Sequence, residues 1–158
     1  MSDARSQDVY TWDQAFMEMA FTIAKRSKDP VTQVGAVIVA ADNRVLSVGY
    51  NGTPRGWDDD TFSWGKTDPD PMKNKHAYVV HAERNAVLNH RGLLADMDGA
   101  TIYVTHYPCP SCAQEVIQAG ARRVVYEVYK QPEHDYSKVM FDKCGVAVER
   151  YSGPAYRH

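Results

Sequence analysis

Apolar positions along this chain switch between helical and strand spacing. Phe16, Met19, Ala20 and Ile23 recur on one helical face behind Thr11-Trp-Asp-Gln14, a threonine-to-glutamine capping box, until the chain reaches Asp29-Pro30. That pattern predicts an amphipathic first helix. Residues 34–41 (VGAVIVAA) form a continuous apolar run rich in β-branched side chains, Asp42-Asn43 reads as a tight turn, and residues 44–50 (RVLSVGY) follow, so a hairpin with a buried first strand is expected. Between Asn51 and Val79 no period persists, and glycines, prolines and three consecutive aspartates punctuate a long loop of the kind that usually carries function.

Beyond the loop, residues 82–91 are helix-like up to Gly92, and residues 100–105 (ATIYVT) alternate as a strand. Pro110 suits the first turn of a helix over residues 111–119 closed by Gly120. Residues 123–127 read as a strand, 137–144 as a short helix and 146–150 as a last strand. The order α-β-β-α-β-α-β-α-β predicts an α/β fold with helices packed on a mixed five-stranded sheet.

The length of 158 residues and a 44% hydrophobic content suit one domain over residues 1–158, with residues 1–9 expected as a flexible N-terminal tail. A net charge of −2 gives no basic field for a nucleic acid polymer, although a local cluster could still hold a small anion. The opening MSDARSQDVYTW lacks the apolar run of an export signal and no stretch is long enough to span a bilayer, so no membrane partner and a cytoplasmic location are expected. Three cysteines, Cys109, Cys112 and Cys144, are an odd number that fits metal binding or free thiols better than a disulfide framework.

His81-Ala-Glu83 opens one predicted helix and Pro108-Cys109-Pro-Ser-Cys112 opens the next. Two cysteines three residues apart share one side of a helical turn, where the positive end of the helix dipole favours their thiolates. With His81 as third ligand they would hold Zn²⁺ and leave one tetrahedral position for water, the arrangement of a catalytic zinc. Glu83, free of the metal, would act as the general acid/base. CxxC alone also fits a structural zinc half-site or a redox pair, and HxE alone occurs by chance. H-x-E paired with P-C-x-x-C in this order is the general signature of zinc deaminases.

Around these motifs the chain resembles the deoxycytidylate deaminase family, from about Tyr10 to Tyr151. The likeness rests on RSKDPVTQVGAVIV (residues 26–39), VGYNGTPRG (48–56), HAERNAVLN (81–89) and PCPSCAQEVIQAG (108–120). It implies the three-layer α/β/α cytidine deaminase-like fold and hydrolysis of dCMP to dUMP for thymidylate synthesis. It further implies a homohexamer regulated by dCTP and dTTP, with Mg²⁺ bridging the regulatory triphosphate. Asn51, Gly52 and Arg55 are the residues expected at that nucleotide.

For the substrate itself, Arg26 and Lys28 could clamp a monophosphate, the arginine with bidentate geometry; basic residues at a helix C-terminus also simply suit its dipole. Asn51 could bond a sugar hydroxyl, or serve as a turn residue before Gly52. Val34, Gly35 and Ala36 are expected to pack against the base, as core packing would also require. Ala82 and Ser111, inside the two zinc motifs, and Tyr129 or Tyr136 beside the base complete the expected set. Trp57, Trp64 and Tyr78 read as a satellite hydrophobic cluster or a cover over the ligand. Two further readings stand beside dCMP deamination: deamination of dCTP, deoxycytidine or another cytosine substrate, and a non-catalytic zinc-binding assembly protein.

Overall fold

A computed structural model describes residues 3–130 and 135–154. The expected tail at Met1 and Ser2, and residues 131–134 of the segment between Tyr129 and Tyr136, lie outside the described residues.

Helix α1 spans Trp12–Ala24, strand β1 Gly35–Val39, β2 Val45–Tyr50, α2 Ala82–Asn89, β3 Thr101–His106, α3 Pro110–Gln118, β4 Arg123–Val128, α4 Tyr136–Cys144 and β5 Ala147–Arg150. The capping box at the start of α1 is formed: Gln14 N donates to Thr11 Oγ1 at 3.1 Å and Thr11 N to Gln14 Oε1 at 2.9 Å. Such a cap satisfies two of the helix's orphan donors. The helix stops earlier than its pattern suggests, and residues 25–29 leave it in tight turns. The long loop is not featureless. It holds one-turn 3-10 helices at Pro71–Lys73 and Lys75–Ala77, another at Leu94–Met97 follows α2, and Gly52 pairs with Val80 to pin the loop's two ends together.

The strands lie in the order β2-β1-β3-β4-β5. β1 is antiparallel to β2 and β3, while β3, β4 and β5 run parallel, making a mixed five-stranded sheet. Successive strand residues face opposite sides, so β1 feeds two cores. Val37 and Val39 pack with Phe16, Met17 and Ala20 of α1 on one face, whereas Ala36 and Ile38 pack with α2, α3 and Phe141 of α4 on the other. The result is the three-layer α/β/α architecture. Among the described residues no helix is long and apolar enough to cross a membrane.

Two glycines set how closely the layers approach. A Cβ on Gly35 would run into the Ala20 carbonyl and the Ala24 nitrogen of α1, and one on Gly49 into the Ala82 carbonyl and Ala86 nitrogen of α2. This contact turns α1 about its axis relative to the sequence pattern. Ala20 and Ala24 sit over Gly35, Phe16 and Met17 complete the buried stripe, Met19 is 37% exposed and Ile23 only half-buried. Gly35 therefore serves the close packing of α1 on the sheet.

Candidate active site

Both metal motifs sit where helices begin. His81 is the N-cap of α2, Cys109 the N-cap of α3, and Cys112 lies in the first turn of α3 with Pro110 ahead of it. The strand-to-helix connection after β3 delivers Cys109, and α2 is bound to β2 by Asn85 Nδ2 on Tyr50 O (2.7 Å), Ser47 Oγ on Ala86 O (2.6 Å) and Asn89 Nδ2 on Val48 O (2.9 Å). Arg84 Nε reaches Glu115 Oε1 at 2.6 Å, linking α2 directly to α3. Ser137 Oγ donates to Pro108 O at 2.9 Å, so α4 buttresses the loop that carries Cys109.

The two helix starts meet. His81 Nδ1 lies 3.4 Å from Cys109 Sγ and 3.3 Å from Cys112 Sγ, and the ligand atoms of all three residues lie within 4.8 Å of one another. The Cys112 thiol donates towards Cys109, and this, with His81 and against burial, lowers the Cys109 thiol to about 4. Cys112 is pushed upward by the same hydrogen bond and by burial. The Cys109 sulfur in turn raises His81, with burial opposing. The convergence of two sulfurs and an imidazole makes a donor set that a divalent cation could occupy in place of their protons. Two sulfurs and an imidazole fit Zn²⁺.

Glu83 is buried, with 4% of its surface exposed, and burial raises its carboxyl above the usual range. It lines a cavity of about 230 Å³ together with His81, Ala82 and Cys109 at one end, and Val34, Asn51 and Val79 along the walls. The cavity also holds groups the sequence did not single out. Asp29 and Lys75 form a buried ion pair, Nζ to Oδ2 2.6 Å, with side chains 3% and 5% exposed. Although burial opposes it, Lys75 and the Val31 and Thr32 N–H donors hold the Asp29 carboxyl below its ordinary value. Thr32, His106 at the end of β3 with Tyr107 just after it, and Lys66 and His76 on the long loop complete the lining.

Several expected substrate residues lie elsewhere. Arg26 and Lys28 line a separate cavity of about 260 Å³ with Gly52 and Arg55, because the turns after Ala24 carry them past the metal cavity. There Lys28 pairs with Asp59, and the Arg26 guanidinium stands 6.0 Å from the centre of the Tyr50 ring. Of Val34, Gly35 and Ala36 only Val34 reaches the metal cavity; Ala36 is fully buried in the core beneath α2 and α3. Asn51 does line it, yet its amide is occupied, Oδ1 accepting from Val34 N (2.8 Å) and Nδ2 donating to Thr32 O (2.9 Å). Ser111 is exposed on α3 and Tyr136 exposed at the start of α4, and neither lines the cavity. Tyr129 packs against Tyr107 with ring centres 4.8 Å apart and donates to Asp135 Oδ2 at 2.9 Å. The aromatic that faces the cavity is Tyr107. Trp57, Trp64 and Tyr78 gather around Phe62 as a satellite cluster, with Phe62–Trp64 and Trp57–Tyr78 ring centres 4.7 and 5.1 Å apart.

With three nitrogen and sulfur ligands where a closed structural site has four, and a carboxylate kept dry beside them, the chain falls in the class of zinc hydrolases that remove an amine from a nucleobase. Comparison with known proteins narrows that class. Residues 10–128 match the family model for the cytidine and deoxycytidylate deaminase zinc-binding region, and the chain belongs to this family. It is 45% identical over 148 residues to a probable deoxycytidylate deaminase of Drosophila melanogaster, covering 89% of this chain and 72% of the relative. It is 37% identical over 154 residues to the human deoxycytidylate deaminase, covering 96% and 85%. The crystal structure of the cyanophage S-TIM5 dCMP deaminase in complex with dCMP and dUMP is similar at TM-score 0.67 and 29% identity, over 87% of this chain and 95% of that one.

Proposed function

We propose that this protein hydrolyses dCMP to dUMP and ammonia, supplying dUMP for thymidylate synthesis. The observation that carries the proposal is the buried Glu83 carboxylate sharing a cavity with His81 and Cys109 of the His81, Cys109 and Cys112 donor set, in a chain whose relatives are deoxycytidylate deaminases. Zinc held by those three residues would supply the Lewis acidity that lets water act as a nucleophile near neutral pH. Glu83 takes a proton from the attacking water and passes it to ring N3, then takes the second proton from the resulting C4 hydroxyl and delivers it to the amine as the C4–N bond breaks. The water oxygen ends as the C4 carbonyl of uracil and the nitrogen leaves as ammonia. A carboxyl whose burial raises its proton affinity is suited to carrying protons between these positions.

Val34, Ala82 and Tyr107 frame the base in this reading, while Asn51 stiffens the wall through its bonds to Thr32 and Val34. Lys66 and His76 face the phosphate. The neighbouring cavity of Arg26, Lys28, Gly52 and Arg55 takes the triphosphate of a regulatory dCTP or dTTP with Mg²⁺. The working assembly is a homohexamer in the cytoplasm.

Steady-state deamination of deoxycytidine, dCMP and dCTP by the purified protein, with and without triphosphate effectors and Mg²⁺, tests the reading. Preference for dCMP is expected. Equal or better turnover of the nucleoside or triphosphate would keep the zinc chemistry and reject the substrate, and no turnover of any would reject the activity.

A further inference from the structure

His106, which no sequence motif singles out, has a fixed tautomer. Thr105 is fully buried, and its hydroxyl oxygen accepts from the Gly35 N–H at 3.2 Å. A buried hydroxyl must also place its own proton. The acceptor the described residues offer is His106 Nδ1, 2.8 Å away. Nδ1 of a neutral imidazole that accepts a hydrogen bond carries no proton, so the proton resides on Nε2. Burial, with a smaller contribution from the Lys130 charge, holds His106 down to about 4, which keeps the ring neutral at working pH. The ring lines the metal cavity, and among the described residues Nε2 meets no hydrogen-bond acceptor of the protein.

We infer that His106 is a positioning residue that donates its Nε2–H to an oxygen acceptor of the bound nucleotide. The chain Gly35 N–H to Thr105 hydroxyl to His106 Nδ1 starts at the β1 backbone and ends at the cavity, so the donor is aimed before substrate arrives. An aimed donor holds the ligand without paying to reorganise. The inference rests on the deaminase reading for the identity of the ligand. It does not rest on that reading for the direction of the donor.

The test compares His106→Leu and His106→Gln with the unaltered protein in turnover of dCMP and of deoxycytidine. Zinc content, melting temperature and calorimetric binding of dUMP are measured on the same samples. Leucine removes the donor, and kcat/KM should fall about ten-fold or more, carried mainly by KM. Glutamine can bring an amide N–H to the place of Nε2 and should recover most of the loss. A merely structural role would not produce that rescue. Loss confined to dCMP assigns the acceptor to the phosphate, and parallel loss on both substrates assigns it to the base or sugar. Unchanged kcat/KM in His106→Leu overturns the inference, as does a glutamine variant as impaired as leucine while both hold zinc and melt normally. If His106→Leu does not fold, His106→Asn, polar but too short to reach, takes its place with the same expected loss, and wild-type behaviour overturns the inference. Binding of dUMP is read independently of turnover. A protein that binds but does not deaminate fails the activity and leaves the His106 comparison to decide on affinity.

Discussion

A buried aspartate on the wall of the metal cavity needs a partner, and Asp29 has one in Lys75. Removing one member of such a pair leaves an uncompensated charge in the interior, so Asp29→Asn or Lys75→Met should lose about 3–5 kcal/mol in chemical denaturation. The double variant should recover much of that loss, because apolar and neutral replacements do not carry the desolvation penalty. The pH dependence has a definite sign. A carboxyl held below its unfolded value contributes stability above the ordinary carboxylate range and loses it as pH falls through the depressed value. The stability gap between the unaltered protein and Asp29→Asn should therefore be widest near neutral pH and narrow on acidification. A gap between the two denaturation midpoints that stays the same on acidification would contradict this. At this scale the zinc ligands and Glu83 were legible in the sequence because each lies within a short local motif whose spacing a helix start reads directly. Asp29, Lys75 and His106 were not. Asp29 and Lys75 are 46 positions apart, and His106 is oriented by the neighbouring Thr105 hydroxyl, itself held by the backbone of Gly35 on another strand.

Helix placement explains why Arg26 and Lys28 do not reach the metal cavity. The 3.6-residue pattern identified α1 and its cap, yet Pro30 sets only an outer bound on the helix, and periodicity cannot report that it stops at Ala24, where turns redirect the chain towards Asp29. Nor does the pattern reveal a face chosen by close approach. Gly35 and Gly49 admit α1 and α2 against the sheet, and adding a methyl at either should cost about 1–3 kcal/mol through overpacking. The consequences should differ. Gly49→Ala pushes on α2, which carries His81 and Glu83, and should reduce zinc retained during dialysis. Gly35→Ala pushes on α1, which carries no ligand, and should lower melting temperature with little loss of zinc. Equal zinc retention in two equally destabilised variants would reject this division of labour.

For the whole molecule, the α/β/α order was readable because strand and helix segments alternate and the parallel β3, β4 and β5 each follow a helix. The separation of two cavities was not, since both draw on the same loop and on residues around Asn51 and Gly52. That separation predicts different phenotypes. Arg55→Ala should weaken the response to dCTP in an activation assay, whereas Lys66→Ala should raise KM for dCMP several-fold. An Arg55 variant that responds fully to the effector would remove the second cavity from the regulatory account.

The most direct measurement replaces Glu83 with Gln and follows conversion of dCMP to dUMP alongside zinc per chain. The account predicts one zinc and an unaltered melting curve in both proteins, with kcat lower by at least about 100-fold in the variant, the lower bound of what a positioned acid/base contributes. Turnover by Glu83→Gln at the rate of the unaltered protein, with zinc still bound, would contradict it.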